Sequence, residues 1–150
     1  MNFQFAIYPY KKAGNLLLGQ NKSEVHSLLN KKFDTLATET KFKAVEYYHE
    51  ASIQIEYDEN NRVIFIGLSN PIDPIYNDIH LLSLTKRRIL QYFGGNDKRI
   101  YQEPNSLIFL DQGLCFYFND LSDNSIPEQI AIFTKGYYDA ILNLYNKVDF

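Results

Sequence analysis

Alternating apolar and polar residues predict a β-hairpin in each half of the chain. Residues 52–58 (Ser-Ile-Gln-Ile-Glu-Tyr-Asp) alternate with a period of two and lead through a polar turn into the apolar run 62–66. Residues 113–119 alternate in the same way, and a longer loop over 121–127 leads to a second run over 128–133. A period of two is typical of strands with one buried face. One further strand is predicted before each hairpin, over 43–50 and over 106–110.

Apolar residues spaced by three and four positions predict a short amphipathic helix before each group of strands. The capping residues are Asn21 and Thr85, and a constant offset of 64 residues superposes the segment 18–30 on 82–94. The glycine pair at 94–95 ends the second helix. The predicted buried positions of the two helices are Val25, Leu28, Leu29, Ile89, Tyr92 and Phe93.

These elements predict an α+β fold built as a tandem repeat. Each repeat is a short helix followed by about three antiparallel strands, and the repeats span about residues 13–69 and 76–135. Pro71 and Pro74 mark the join. A unit of roughly 60 residues is marginally stable alone, so we expect both repeats to share one antiparallel sheet in a single domain over 1–150. A strand over 2–9 and a helix over 138–147 are expected at the two ends.

Composition and charge narrow the class of protein. The chain has 12 Tyr, 11 Phe and no Trp, and its net charge of −3 is too mild for a protein that mainly coats phosphate backbones. The single cysteine, Cys115, cannot form an internal disulfide. The first ten residues lack the pattern of a signal peptide, and no apolar run approaches the ~18 residues that cross a bilayer. We expect a cytoplasmic protein that does not enter the membrane.

The residues with chemical potential form no catalytic pattern. His26, His49 and His80 lack the spacing of a zinc site, and Cys115 lies inside a predicted strand without a basic neighbour. The glycine pair at 94–95 follows a helix, whereas a phosphate-binding loop precedes one. We therefore expect no enzyme, no cofactor and no metal.

An acidic segment gives the candidate binding surface. Between Ala44 and Asn61 there are five acidic residues and no Lys or Arg. Alternation that buries Val45 and Ile53 places acids and tyrosines together on the open sheet face, where they would attract and anchor a basic partner. The alternative interpretation is an ordinary solvated face of an antiparallel sheet. The predicted partner-binding residues are Glu46, Tyr48, Glu50, Gln54, Glu56 and Tyr117.

A basic stretch accompanies the second helix. Lys86, Arg87 and Arg88 lie in its first turn, and Lys98 and Arg99 follow it. Such a run is usually an exposed, screened face. An anion or nucleic-acid site is the weaker alternative, because the aromatic strand over 114–118 lacks the Lys/Arg-Gly opening of an RNA-recognition strand.

The segment 18–29, Leu-Gly-Gln-Asn-Lys-Ser-Glu-Val-His-Ser-Leu-Leu, resembles the helix opening of the β-lactamase-inhibitory-protein-like fold. That family includes lipoproteins of the barrel-assembly machinery and bacterial immunity proteins, and the resemblance covers most of the chain as two copies. Without a lipid-bearing cysteine or disulfides, the chain is similar to the cytoplasmic immunity proteins. The resemblance implies a non-enzymatic protein that binds a basic cognate toxin, such as a nuclease, and occludes its active site. A structural or adaptor module that dimerises through its sheet is the alternative.

Overall fold

A computed structural model describes residues 3–36, 44–120, 122–139, 142 and 145–148. These residues form two α-helices, one short 3-10 helix and fourteen strands. In chain order the elements are β1 Phe3–Tyr8, β2 Lys12–Ala13, β3 Leu16–Leu17, α1 Lys22–Leu29, β4 Asp34–Leu36, β5 Ala44–Tyr48, β6 Ile53–Tyr57, β7 Val63–Ser69, β8 Ile72–Tyr76, β9 Ile79–His80, the 3-10 helix Leu81–Ser83, α2 Lys86–Phe93, β10 Ile100–Glu103, β11 Ser106–Phe109, β12 Leu114–Tyr117, β13 Gln129–Phe133 and β14 Asn146–Val148.

The expected α+β tandem repeat of helix and strands is wrong. The described residues are mostly β, with 43% in strands and 15% in helices, and they form two sheets of five and nine strands. The segments between the expected elements explain the difference. Residues 12–17 and the proline-containing join at 71–74 contribute strands to the five-stranded sheet instead of serving as linkers.

The five-stranded sheet has the order β3-β2-β1-β8-β9. Its central strand β1 pairs in parallel with β8, from Phe3 opposite Ile72 to Ala6 opposite Ile75. Pro74 is tolerated in β8 because β9 pairs only with Ile75 and Tyr76, so no ladder bond toward β9 is required of the proline.

The nine-stranded sheet is antiparallel throughout and has the order β14-β10-β11-β12-β13-β7-β6-β5-β4. One face packs against both helices and the five-stranded sheet in the main hydrophobic core. The other face carries a second cluster, which includes Phe65, Cys115 and Phe133 and packs against Tyr138. Every position of β11 is therefore buried, and neither face of this strand is solvated.

The expected C-terminal helix over 138–147 is also wrong. Residues 135–139 form turns, and β14 pairs with β10 through Val148 opposite Ile100. Tyr138 belongs to the second hydrophobic cluster, and Leu142 and Tyr145 pack against it, so this cluster accounts for the apolar character of these three positions. Residues 140, 141, 143 and 144 of that prediction lie outside the described residues.

Both short helices begin at their predicted caps. The Asn21 side chain accepts from the Ser23 amide at 2.9 Å, and the Thr85 hydroxyl accepts from the Arg88 amide at 3.3 Å. Each helix has only eight residues and buries a narrow stripe: Val25 in α1, and Ile89 and Phe93 in α2. Leu28 and Tyr92, predicted as core, are 50% and 45% exposed. No helix among the described residues has the length and apolar character needed to cross a bilayer.

Candidate functional site

The six residues predicted to bind a partner do not share one open face. Sheet register places Glu46 opposite Ile55 and Tyr48 opposite Ile53, which puts both side chains on the face that α1 covers. The alternation expected for β5 is therefore wrong. In β6, Gln54 and Glu56 lie on the other face as expected, but the second hydrophobic cluster covers much of that face and Glu56 is buried. Gln54, Glu56 and Tyr117 lie on the opposite face, and the exposed Glu50 lies in the turn over 49–52.

Glu46 is the centre of a buried hydrogen-bond network and is only 3% exposed. Its Oε1 accepts from the hydroxyls of Tyr57 at 2.8 Å and Tyr48 at 3.1 Å, and Nε2 of His26 lies 2.8 Å from Oε2. Burial, with the nearby Glu46 carboxylate as a further cause, raises the pKa of both tyrosines well above the ordinary value. The network joins α1 to the sheet, which gives Glu46 and Tyr48 a structural role.

Glu56 has a similar role on the other face, where it is 9% exposed. The Tyr137 hydroxyl donates to Glu56 Oε1 at 2.6 Å, and the Tyr117 and Tyr138 hydroxyls lie 3.4 Å apart. Cys115 is fully buried beside them, and burial raises the pKa of its thiol to about 12. The tyrosine contacts hold the segment around 137–138 against the sheet. The buried Cys115 thiol, which stays protonated at neutral pH, is a poor nucleophile.

The exposed Glu50 lies at one end of the nine-stranded sheet. The turn that contains it contacts the end of β7, because the Ser69 amide donates to the Ser52 carbonyl at 3.0 Å. Ser69 in turn pairs with Gln129, which brings Glu128 to the same end. Asp73 follows four residues after Ser69, in β8.

A cleft of about 840 Å³ opens at this end of the sheet. Asp73 lies deeper in it than His80, with side chains 18% and 50% exposed, and His80 Nδ1 is 2.8 and 3.0 Å from the two carboxylate oxygens of Asp73. Ile126 is 53% exposed at the cleft, where burial by a partner would be favourable. The lining residues are Ser69, Asn70, Pro71, Ile72, Asp73, His80, Leu82, Ser83, Ile126, Pro127 and Glu128.

The cleft and the adjoining turn carry negative charge. The lining contains two carboxylates, Asp73 and Glu128, and no Lys or Arg. We call the cleft together with Glu50 the acidic end. Sequence reasoning missed Asp73 and Glu128 because both lie outside the acidic segment. The sequence signal that could have identified the Asp73–His80 pair is the short turn at 77–78, which joins β8 and β9 in a hairpin. The register of this hairpin brings His80 diagonally beside Asp73.

The basic stretch around α2 is partly neutralised by neighbouring carboxylates. Arg99 Nε lies 2.7 Å from Asp111, and Arg87 lies 3.7 Å from Asp123. The loop before β13 also accepts the amides of Lys86 and Arg87, through the carbonyls of Ser125 and Asp123. The unfavourable charge at the start of α2 is therefore offset within the molecule.

Among the described residues no group of three or more His, Cys, Asp or Glu side chains could hold a metal ion. No protein-family model, curated protein or solved structure matches the chain.

Proposed function

We propose that this chain is a non-enzymatic, cytoplasmic protein of the immunity type, which binds a basic bacterial toxin such as a nuclease and occludes its active site. One observation carries the proposal: the acidic end combines three carboxylates with a cleft whose lining contains no Lys or Arg.

Two of the three carboxylates at the acidic end are available to a partner. Glu50 and Glu128 are exposed, and neither forms an ion pair with another described residue. By contrast, Glu46 and Glu56 are buried and accept hydrogen bonds within the protein. We therefore propose the acidic end as the docking surface in place of the six residues predicted from the sequence. Glu50 belongs to both sets.

The chemistry of this surface suits a partner protein that itself binds phosphate. A nuclease active site attracts its substrate with positive charge, and carboxylates at a complementary surface accelerate encounter and disfavour acidic partners. The exposed Ile126 lines the cleft and supplies apolar area that a partner would bury. Steering charge and exposed apolar area together favour a protein partner over a small metabolite.

The proposal predicts that a toxin is encoded directly upstream of this gene, and that toxin is the test ligand. The purified toxin is titrated with the wild-type protein and with the double variant Glu50→Lys/Glu128→Lys. Because like charges facing each other across an interface cost several kcal/mol, we expect the variant to bind at least tenfold more weakly. The loss should shrink as salt is added, since exposed charges are screened.

Glu59→Lys is the matched control. Glu59 is exposed in the turn at the opposite end of β6, about 17 Å along a five-residue strand from the turn that holds Glu50. Its reversal should leave affinity unchanged. Equal affinities for the double variant and wild type would contradict docking at the acidic end. Absence of a toxin partner, together with a stable dimer of this chain, would favour the adaptor alternative.

A further inference from the structure

The cleft of the acidic end has two chemically different parts. Ile72, Leu82 and Ile126 provide the apolar wall, and the Asp73 carboxylate, paired with the half-exposed His80, provides the polar part. A ligand that fills this space must present an apolar stem and a polar, positively charged head. Long basic side chains have that form, because their methylene groups pack on apolar surface while the head remains polar.

The geometry points to this cleft as the receptor for one arginine side chain of the partner, an inference that rests on the proposed function. The stem packs against Leu82 and Ile126, and the guanidinium group donates to the carboxylate of Asp73. Arginine fits better than lysine because its planar head offers five donors and is weakly hydrated. The lining offers several acceptors to such a head, from the hydroxyls of Ser69 and Ser83 to the carboxylate of Glu128.

The Asp73–His80 pair prepares the cleft for this head. Nδ1 of His80 lies within 3.0 Å of both oxygens of Asp73, so the imidazole holds the carboxylate in one orientation. The lone pairs that the imidazole does not use remain for a second donor, since a carboxylate accepts about four hydrogen bonds. An anionic ligand does not fit, because the lining contains two carboxylates and no Lys or Arg.

The test uses the full-length protein and N-acetyl-L-arginine amide as the probe, with amide resonances followed by NMR. N-acetyl-L-citrulline amide is the matched control ligand, because its neutral urea group has nearly the same shape as the guanidinium group. We expect saturable shifts for the arginine probe, with a Kd in the roughly millimolar range reasonable for one side chain. The shifts should lie at 69–73, 80–83 and 126–128, and the citrulline probe should bind at least tenfold more weakly.

Three variants locate the interaction. Asp73→Asn removes the charge partner and should weaken the arginine probe about tenfold or more, because a hydrogen bond between charged groups is worth at least that factor. Ile126→Ser, at an exposed position, should weaken it several-fold without affecting the fold. Asp34→Asn is the control, because it breaks an equally short carboxylate–histidine pair, Asp34 with His49 at 2.7 Å, outside the cleft.

Equal binding of the two probes, shifts away from the cleft, or full binding by both Asp73→Asn and Ile126→Ser would overturn the arginine receptor. The toxin titration separates this result from the function. If the toxin binds but neither variant weakens it, the receptor is wrong and the proposed function stands. If the arginine probe binds in the cleft but no neighbouring toxin does, the receptor stands and the proposed function fails.

Discussion

Replacing Glu46 by alanine should strongly destabilise the protein, although Glu46 occupies a strand position that the sequence suggests is exposed. The carboxylate is the acceptor for the hydroxyls of Tyr48 and Tyr57, both of which are fully buried. A buried donor that loses its partner costs about 1–3 kcal/mol, so the two hydroxyls together predict a loss of about 2–6 kcal/mol in the free energy of unfolding. Loss of the contact with His26 adds to this.

Urea denaturation measures the effect. With a slope of about 2 kcal/mol per molar for a domain of this size, the midpoint should fall by about 1–3 M. Glu46→Gln retains an oxygen acceptor and should lose less than Glu46→Ala. Glu50→Ala, at an exposed position, should change stability by no more than about 0.5 kcal/mol. If Glu46→Ala and Glu50→Ala have the same midpoint, the two tyrosine hydroxyls do not depend on Glu46 and the network is wrong.

Three further predictions concern side chains of the two helices and the buried tyrosines. Phe93 is 2% exposed and its ring lies 5.5 and 5.7 Å from those of Phe109 and Phe116, so Phe93→Ala should cost about 3–5 kcal/mol and lower the melting temperature by about 6–20 °C. Leu28→Ala, at a half-exposed position, should leave the melting temperature within a few degrees of wild type, and a comparable loss would show that α1 is misplaced. The stability contributed by the buried tyrosine hydroxyls should be fully present below about pH 10 and should be lost as pH rises further. Buried tyrosines keep their protons in the folded state, whereas the unfolded chain ionises near its ordinary pKa. The buried tyrosines concerned are Tyr48, Tyr57, Tyr117, Tyr137 and Tyr138. If their absorbance titration as tyrosinate proceeds smoothly from pH 10 without cooperative unfolding, this prediction is wrong.

Local patterns predicted the elements better than their arrangement. The helix caps at Asn21 and Thr85 and the two long hairpins follow from spacing within a few residues, which is the range over which capping and alternation act. The second sheet was missed because three of its strands have only two residues each and its parallel pair joins segments 69 residues apart, from Phe3 to Ile72. No local periodicity encodes a contact at that separation.

For the candidate surface, too, the sequence predicted local features but not the long-range arrangement. Alternation correctly grouped Ile53 with Ile55, but it could not tell which face of β5 lies under α1, because Val45 and Tyr48 are both apolar enough to be buried. A buried carboxylate such as Glu46 is identified only by its partners, which come from α1 and β6. The cleft was equally hidden, since Asp73, His80 and Glu128 converge from β8, β9 and the loop before β13.

The central position of β1 has a consequence for synthesis of the chain. Strand β1 is made first, but its parallel partner begins at Ile72, and 69 further residues must be added before the pair can form. At about 5–20 residues per second this takes roughly 3–14 s. During that interval β1 has an unpaired edge exposed to other nascent chains. Pairing with β8 therefore ends the exposure of this edge of β1.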